Sequence, residues 1–266
     1  MKLSIIIPAH NEEGNIQKTV RAITILLAQK KIPHEIIIVN DNSSDGTQTE
    51  LDALKAEFPR IVTSINNPPP NGFGLAVQKG LQHFSGDAVV IVMADGSDEP
   101  EDIVQYYSQL QKGYECVFGS RFTKESKVID YPIHKLVLNR LANWFIKVLF
   151  RINYNDVTNA FKCYRADVIK GISPILSHHF NLTVELPLKA IVRGYTYSVV
   201  PTNWYNRTSG ISKLKIKEMG SRYLFIILYM ILEKWLSKGD YEKGGLIQKE
   251  GKPVLDENPP ERNKCQ

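Results

Sequence analysis

The sequence predicts an α/β protein: a mostly parallel central sheet with helices on its faces. Three observations carry that expectation. Short runs rich in Ile and Val alternate along the chain with segments of helical periodicity. The runs are nearly continuous in apolar residues, as in strands covered on both faces. Polar or acidic residues follow them at once, at Pro8 to Glu12, Asn40 to Asp45, Asp95 to Asp98 and Gly119 to Arg121. Right-handed crossovers bring the carboxyl ends of parallel strands to one edge, where open α/β sheets hold ligands.

The elements follow in order. "LSIIIP", Leu3 to Pro8, is a β-branched run stopped by proline and reads as a buried strand. Asn11 can cap the next helix, with Glu12 and Glu13 in its first turn and apolar positions through Leu27. "HEIIIVND", His34 to Asp41, is a second strand, and "NSSDGT" turns it into a helix over Thr47 to Glu57. Ile61 to Asn66 is a third strand. The loop "NPPPNG" then leads to a helix from about Leu75. Ala88 to Met93 is the fourth strand, followed by a helix in "EPEDIVQYYSQLQKG" that Gly113 ends, and by a strand in "YECVFGSRF".

The second half has a different texture. The segment His134 to Arg151 places Val137, Leu141, Trp144, Phe145 and Val148 on one helical face, with Lys135, Arg140, Lys147 and Arg151 largely elsewhere. That pattern predicts a helix packed on the core, with a helix lying in a membrane interface as the sharper alternative. Arg222 to Lys238 is more apolar. Its uninterrupted run, Tyr223 to Leu232, is ten residues, whereas a bilayer span needs about 20. It is expected to lie on a membrane or against a partner. From Gly239 the chain is rich in Gly, Pro and charge and is expected to be a flexible tail over 239–266.

Composition narrows the function. The 266 residues carry a net charge of +5, too small to specify a partner. Aromatic and basic residues do not interleave on any element, which ranks nucleic acid last. Cys116, Cys163 and Cys265 are far apart without CxxC, so neither a disulfide framework nor a zinc site is expected, and a reducing compartment suits them. The start is no signal peptide, and the sequons at Asn181 and Asn206 read as chance. GxGxxG and GxxxxGK[ST] are both missing, so dinucleotide and P-loop sites lack their cradle.

The acidic strand ends carry the chemistry. Asp41 can hydrogen-bond a base or ribose, or serve the turn. Asp95 can bind Mg²⁺ or Mn²⁺, hard ions that bridge to phosphate oxygens. Asp98 and Glu99 read as charge at a helix N-terminus.

The ordered set "SIIIPAHNEEGNI", "IIIVNDNSSDGT", "VIVMADGSDEPEDI", "GSRF", "NDVTNAFKCYR" and "WYNRTSGISKLK" closely resembles the family 2 glycosyltransferases of GT-A fold. The nearest branch resembles the dolichyl-phosphate mannosyltransferases and bacterial polyprenyl-phosphate glycosyltransferases. The likeness runs from Leu3 to Leu214. It implies a catalytic domain over 1–218, an amphipathic membrane- or partner-associated helix over 219–238, and a nucleotide site lined by Pro8, His10, Glu12, Val39 and Asp41. It further implies that Met93, Ala94 and Asp95 face the diphosphate, with Asp95 and Ser97 on the metal. Arg121 would face phosphate groups, Arg207 and Lys213 would close over the donor and acceptor phosphates, and Asp156 would stand beside the acceptor. Two positions depart from the family pattern: Met93 replaces the first aspartate of Asp-x-Asp, and His10 stands where tyrosine is common.

The expected activity is inverting transfer of a hexose, mannose or glucose, from a GDP- or UDP-sugar to a polyprenyl or dolichyl phosphate, on the cytoplasmic face of a membrane. The chain would be peripheral there or lean on a membrane partner subunit. The alternatives are transfer to a saccharide acceptor, and a non-catalytic relative, motivated by Met93.

Overall fold

The computed structural model describes residues 1–205, 216–237 and 239–244. Among them the strands β1 (Leu3–Ala9), β2 (His34–Asn40), β3 (Val62–Asn66), β4 (Ala88–Ile91), β5 (Cys116–Ser120), β7 (Lys162–Arg165) and β8 (Tyr197–Pro201) form one sheet in the order β3-β2-β1-β4-β7-β5-β8. β7 is antiparallel to both neighbours, and the other pairings are parallel. A small ribbon joins β6 (Val128–Ile129) to β9 (Trp204–Tyr205).

The near-continuous apolar runs are explained by two layers of cover. Ile5 and Ile7 of β1 enter one core, with α1 (Ile16–Gln29), α2 (Thr47–Glu57) and α4 (Pro100–Gln111). Ile6 enters the other, with α3 (Phe73–Leu81), α5 (Ile133–Phe150), α7 (Leu182–Val192) and α8 (Ile216–Leu236). A short α6 (Ala166–Gly171) follows β7. Alternate side chains of one strand thus meet apolar partners on both sides.

Several expectations are corrected. The fourth strand ends at Ile91 rather than Met93, because the chain turns to let Asp98 accept the Met93 N–H at 3.0 Å. α3 begins at Phe73, two residues before Leu75. The antiparallel β7 separates β4 from β5 and has no counterpart in the sequence reading. The start of the expected tail is fastened: Lys243 N–H donates to the Arg193 carbonyl at 2.8 Å, and its ammonium meets Glu115 at 2.5 Å. Residues 245–266 lie outside the described residues.

The largest correction concerns α5. Its buried positions are Asn143, Ile146 and Phe150. The stripe expected to face the core faces outward instead, with Val137 53% and Trp144 63% exposed, and Leu141, Phe145 and Val148 alongside. α8 does the same with Leu224, Phe225, Leu228, Leu232 and Trp235. α8 is nonetheless fixed to the body. Arg193 pairs with Glu233 through two hydrogen bonds of 2.7 and 3.0 Å, and Lys234 donates to the Phe150 carbonyl at 2.6 Å. No described helix is long and apolar enough to cross a membrane.

Candidate active site

The carboxyl ends of β1, β2 and β4 share one edge through their parallel pairings, and β5 ends there too because β7 runs antiparallel to both β4 and β5. The loops there are stitched together. Asn11 N–H donates to Ser43 Oγ at 3.0 Å, Glu12 N–H to Thr47 Oγ1 at 2.9 Å, and Ser44 N–H to Asn11 Oδ1 at 2.8 Å. Asn11 and Asn42 adopt positive φ of 54° and 56°, a conformation asparagine tolerates, so both strands turn tightly into their helices.

Asp41 is a buried hub. Its carboxylate accepts Asn67 Nδ2 at 2.7 Å and the Gly72 N–H at 3.0 Å. Its carbonyl meets His10 Nδ1 at 2.7 Å and accepts Asn71 Nδ2 at 2.9 Å. These bonds draw the "NPPPNG" loop and the start of α3 against the end of β2. Gly74 lets that helix start pass close to another loop, since a Cβ there would sit 2.3 Å from the Ser177 carbonyl. Asn67, Asn71 and Gly72 were not singled out from the sequence, although the proline-rich run ending in Asn-Gly marks a fixed loop.

The residues after β4 form a tight turn. Asp95 Oδ1 accepts the Ser97 N–H at 3.1 Å, Gly96 takes a positive φ of 70°, and the Ala94 carbonyl accepts Thr19 Oγ1 at 2.9 Å. Asp95 remains partly exposed, whereas Ala94 and Ser97 are buried. Asp98 does not serve the N-terminus of α4, contrary to expectation; it reaches back to Met93. Burial, and then the nearby Asp95 charge, push its pKa up to about 7 despite the Met93 hydrogen bond. Its backbone pairs with Trp204, so the β6–β9 ribbon begins beside this turn.

Arg121 and Asp156 find each other. Arg121 Nε and Nη2 donate to Asp156 at 2.8 and 2.7 Å, and the Arg121 N–H adds a bond of 2.9 Å. Asp156 is 0% exposed. Burial opposes the guanidinium charge, but Asp156 overcomes this and holds its pKa above the ordinary arginine value. A carboxylate sealed and paired in this way has no open route to a substrate proton, so Asp156 holds Arg121 at the edge of the neighbouring cavity and does not act as a base. Beneath it, Lys162 donates to the Val157 and Thr183 carbonyls at 3.0 and 3.2 Å. Burial lowers its pKa to about 7. Pro8 and Val39 are also buried, Val39 beneath Ala76 of α3, so neither side chain lines an open site. Arg207 and Lys213 lie outside the described residues, as does Asn206. Asn181 is buried, which removes its sequon from use.

Next to Arg121 a cavity of about 360 Å³ opens between α5 and α8. Tyr131, Lys135, Asn139, Thr158 and Tyr223 line it with Leu138. Lys135 and Asn139, four residues apart on one helix, are a signal the sequence did contain.

Among the described residues no three carboxylates, imidazoles or thiols converge to hold an ion. The partly exposed carboxylate of Asp95 would suit a hard divalent ion, whose other ligands the donor and water would have to supply.

The comparisons agree with this geometry. The family model for glycosyl transferase family 2 matches residues 4–172. The chain belongs to that family and is a glycosyltransferase. It is 29% identical over 215 residues to polyprenol monophosphomannose synthase of Mycolicibacterium smegmatis, covering 79% of this chain and 80% of that protein. It is 30% identical over 222 residues to dolichol-phosphate mannosyltransferase of Pyrococcus furiosus, covering 82% of this chain but 60% of that longer protein. In fold it is similar to glucosyl-3-phosphoglycerate synthase of Mycobacterium tuberculosis, crystallised with Mn²⁺, UDP and phosphoglyceric acid. That match has a TM-score of 0.64 at 16% identity and covers 88% of this chain and 78% of the other. The fold is therefore GT-A.

Proposed function

We propose that this enzyme transfers a hexose, with mannose as the first candidate, from a nucleotide diphosphate sugar to a polyprenyl phosphate at a membrane surface. One observation carries the reading: the cavity beside Arg121 opens between α5 and α8, whose outward faces are apolar. An acceptor phosphate could meet Arg121 and Lys135 there while its prenyl chain stays in lipid. The names of the two curated relatives, one a polyprenol and the other a dolichol-phosphate enzyme, support the same acceptor class and favour mannose.

The chemistry needs no general base. A phosphate monoester oxygen is an anion near neutral pH and can attack the anomeric carbon directly. The new bond forms between that oxygen and C1, the bond from C1 to the diphosphate breaks, and the nucleoside diphosphate leaves with the electron pair. A single displacement inverts the anomeric configuration and leaves no covalent enzyme intermediate. Catalysis then rests on positioning and on neutralising the leaving group. Asp95, with Ser97 beside it, would hold Mg²⁺ or Mn²⁺, which when bound supplies Lewis-acid stabilisation of the departing diphosphate. Arg207 and Lys213 would close over the phosphates. In the sequence only Tyr205 and Asn206 stand between Arg207 and Trp204, which pairs with the Asp95–Asp98 turn. His10, Glu12, Met93 and Ala94 remain with the nucleotide-binding edge, and Asp41 shapes it from beneath. Asp156 acts by holding Arg121.

The test is incubation with radiolabelled GDP-mannose, UDP-glucose or UDP-GlcNAc, with and without a short polyprenyl phosphate and Mn²⁺. Label entering the organic phase from GDP-mannose is expected. Label moving only onto water-soluble sugars, or donor bound without turnover until Met93→Asp restores it, would replace this reading with one of its two alternatives.

A further inference from the structure

A second groove lies on the outer face of α5, distinct from the acceptor cavity. It holds about 420 Å³. Phe122, Leu141 and Trp144 form its apolar walls, and Arg140, Lys147 and Asn155 its polar rim. Arg140 and Lys147 are seven residues apart, so two helical turns bring them to one face with Leu141 and Trp144 between them. The Arg140 guanidinium rests 5.4 Å from the Phe122 ring centroid, and Arg121 of the acceptor cavity lies at the same distance from that ring. One ring is thus shared by the two sites' cations. We propose that this groove binds the headgroup phosphate of an anionic phospholipid, with Arg140 and Lys147 on the phosphate and Leu141 and Trp144 against the acyl chains. The inference rests on the membrane seat proposed above and adds the lipid class that selects it.

Charge complementarity favours lipid over protein as the occupant. From Ile133 to Arg151 there is no acidic residue. On α8, Glu233 is buried against Arg193. A second copy docked symmetrically on this face would set cation against cation. An anionic bilayer offers phosphate to the rim, hydrocarbon to the walls and the interfacial depth that tryptophan prefers. α8 runs beside α5 in the same sense. Gly220 and Tyr223 share the acceptor cavity with the start of α5, and Lys234 reaches its end at Phe150. Both apolar faces can therefore meet one bilayer.

The experiment is sedimentation of the full chain with vesicles of phosphatidylcholine alone, or mixed with phosphatidylglycerol, with neither donor nor acceptor present. Loss of sugar transfer would therefore not affect the result. Binding is expected on the mixed vesicles and weak on the neutral ones, and it should survive exchange of chloride for inorganic phosphate at equal ionic strength. Arg140→Glu with Lys147→Glu should lower the partition coefficient by at least about tenfold, since each cation near an anionic surface contributes about fivefold. Arg140→Lys with Lys147→Arg should bind like the parent. If the charge-reversed chain fails to fold, the indole fluorescence of the parent decides: a blue shift on mixed vesicles that Trp144→Phe reduces, leaving the share of the exposed Trp235 on α8, is expected. Equal binding to neutral vesicles, displacement by free phosphate, or self-association in place of vesicle binding would overturn the proposal.

Discussion

At the scale of single residues, burial decides which carboxylates are available for chemistry. Asp41, Asp95, Asp98, Asp102 and Asp156 look alike in the sequence. Asp156 is consumed by Arg121. Asp156→Ala would strand a buried guanidinium, costing about 3–5 kcal/mol, on the order of 10 °C in melting temperature. Calorimetry should show that loss, and an unchanged transition would mean the pair is solvated in solution. Asp102 is buried on α4, and burial, with the charges of Glu99 and Glu101, moves its pKa from 3.8 to about 7. The folded protein therefore holds this proton more tightly than the unfolded chain does. Its contribution to stability falls as pH rises between about 4 and 7. Asp102→Asn should gain stability over the parent, by up to a few kcal/mol, between pH 5 and pH 8. Urea midpoints at the two pH values give the difference, and a gap that does not change with pH would contradict it. Nothing in the order of the letters marks Asp41 and Asp156 as the locked ones, since Asn67 and Arg121 lie 26 and 35 residues away from them.

At the scale of elements, the strands were legible and the outer helices were only half so. The runs at Leu3, His34 and Ala88 are strands because Ile and Val fill their centres, which suits cover on both sides. β7 was hidden, because "KCYR" is short, mixes polar with apolar residues, and gains strand character only by pairing between β4 and β5. The period of α5 gave its helix correctly, but periodicity reports that a stripe exists and not what covers it. A buried pair helps to hold α8 beside its apolar packing through Ile226, Ile227 and Met230. Arg193→Ala leaves Glu233 buried without its partner, at a cost of about 3–5 kcal/mol. Limited proteolysis should then cut within α8 while the sheet stays protected. Cleavage no faster than in the parent would show that apolar packing alone retains the helix.

At the scale of the whole molecule, the proposed active edge gathers loops from four strands, and transfer depends on several of them together. Asp95→Ala should lower kcat by about 10²–10³-fold, the usual loss when one leaving-group stabiliser is removed. Arg207→Ala should raise the KM for the nucleotide sugar at least about tenfold, as expected for losing one charge-assisted phosphate contact of about 1.5–3 kcal/mol. Steady-state transfer to polyprenyl phosphate, with each donor concentration varied, separates the two effects. Full activity in either variant would remove that residue from the site.

By itself the sequence determined the alternation of strands and helices, the edge where polar loops collect and the family, because periodicity and ordered motifs are properties of neighbours along the chain. The tertiary structure alone decided that Asp156 is locked to Arg121, that Val39 lies beneath α3, and that α5 and α8 turn their apolar faces outward. Those outcomes depend on which distant surfaces meet and which are left without cover. Burial and ion pairing are settled only when the chain closes on itself.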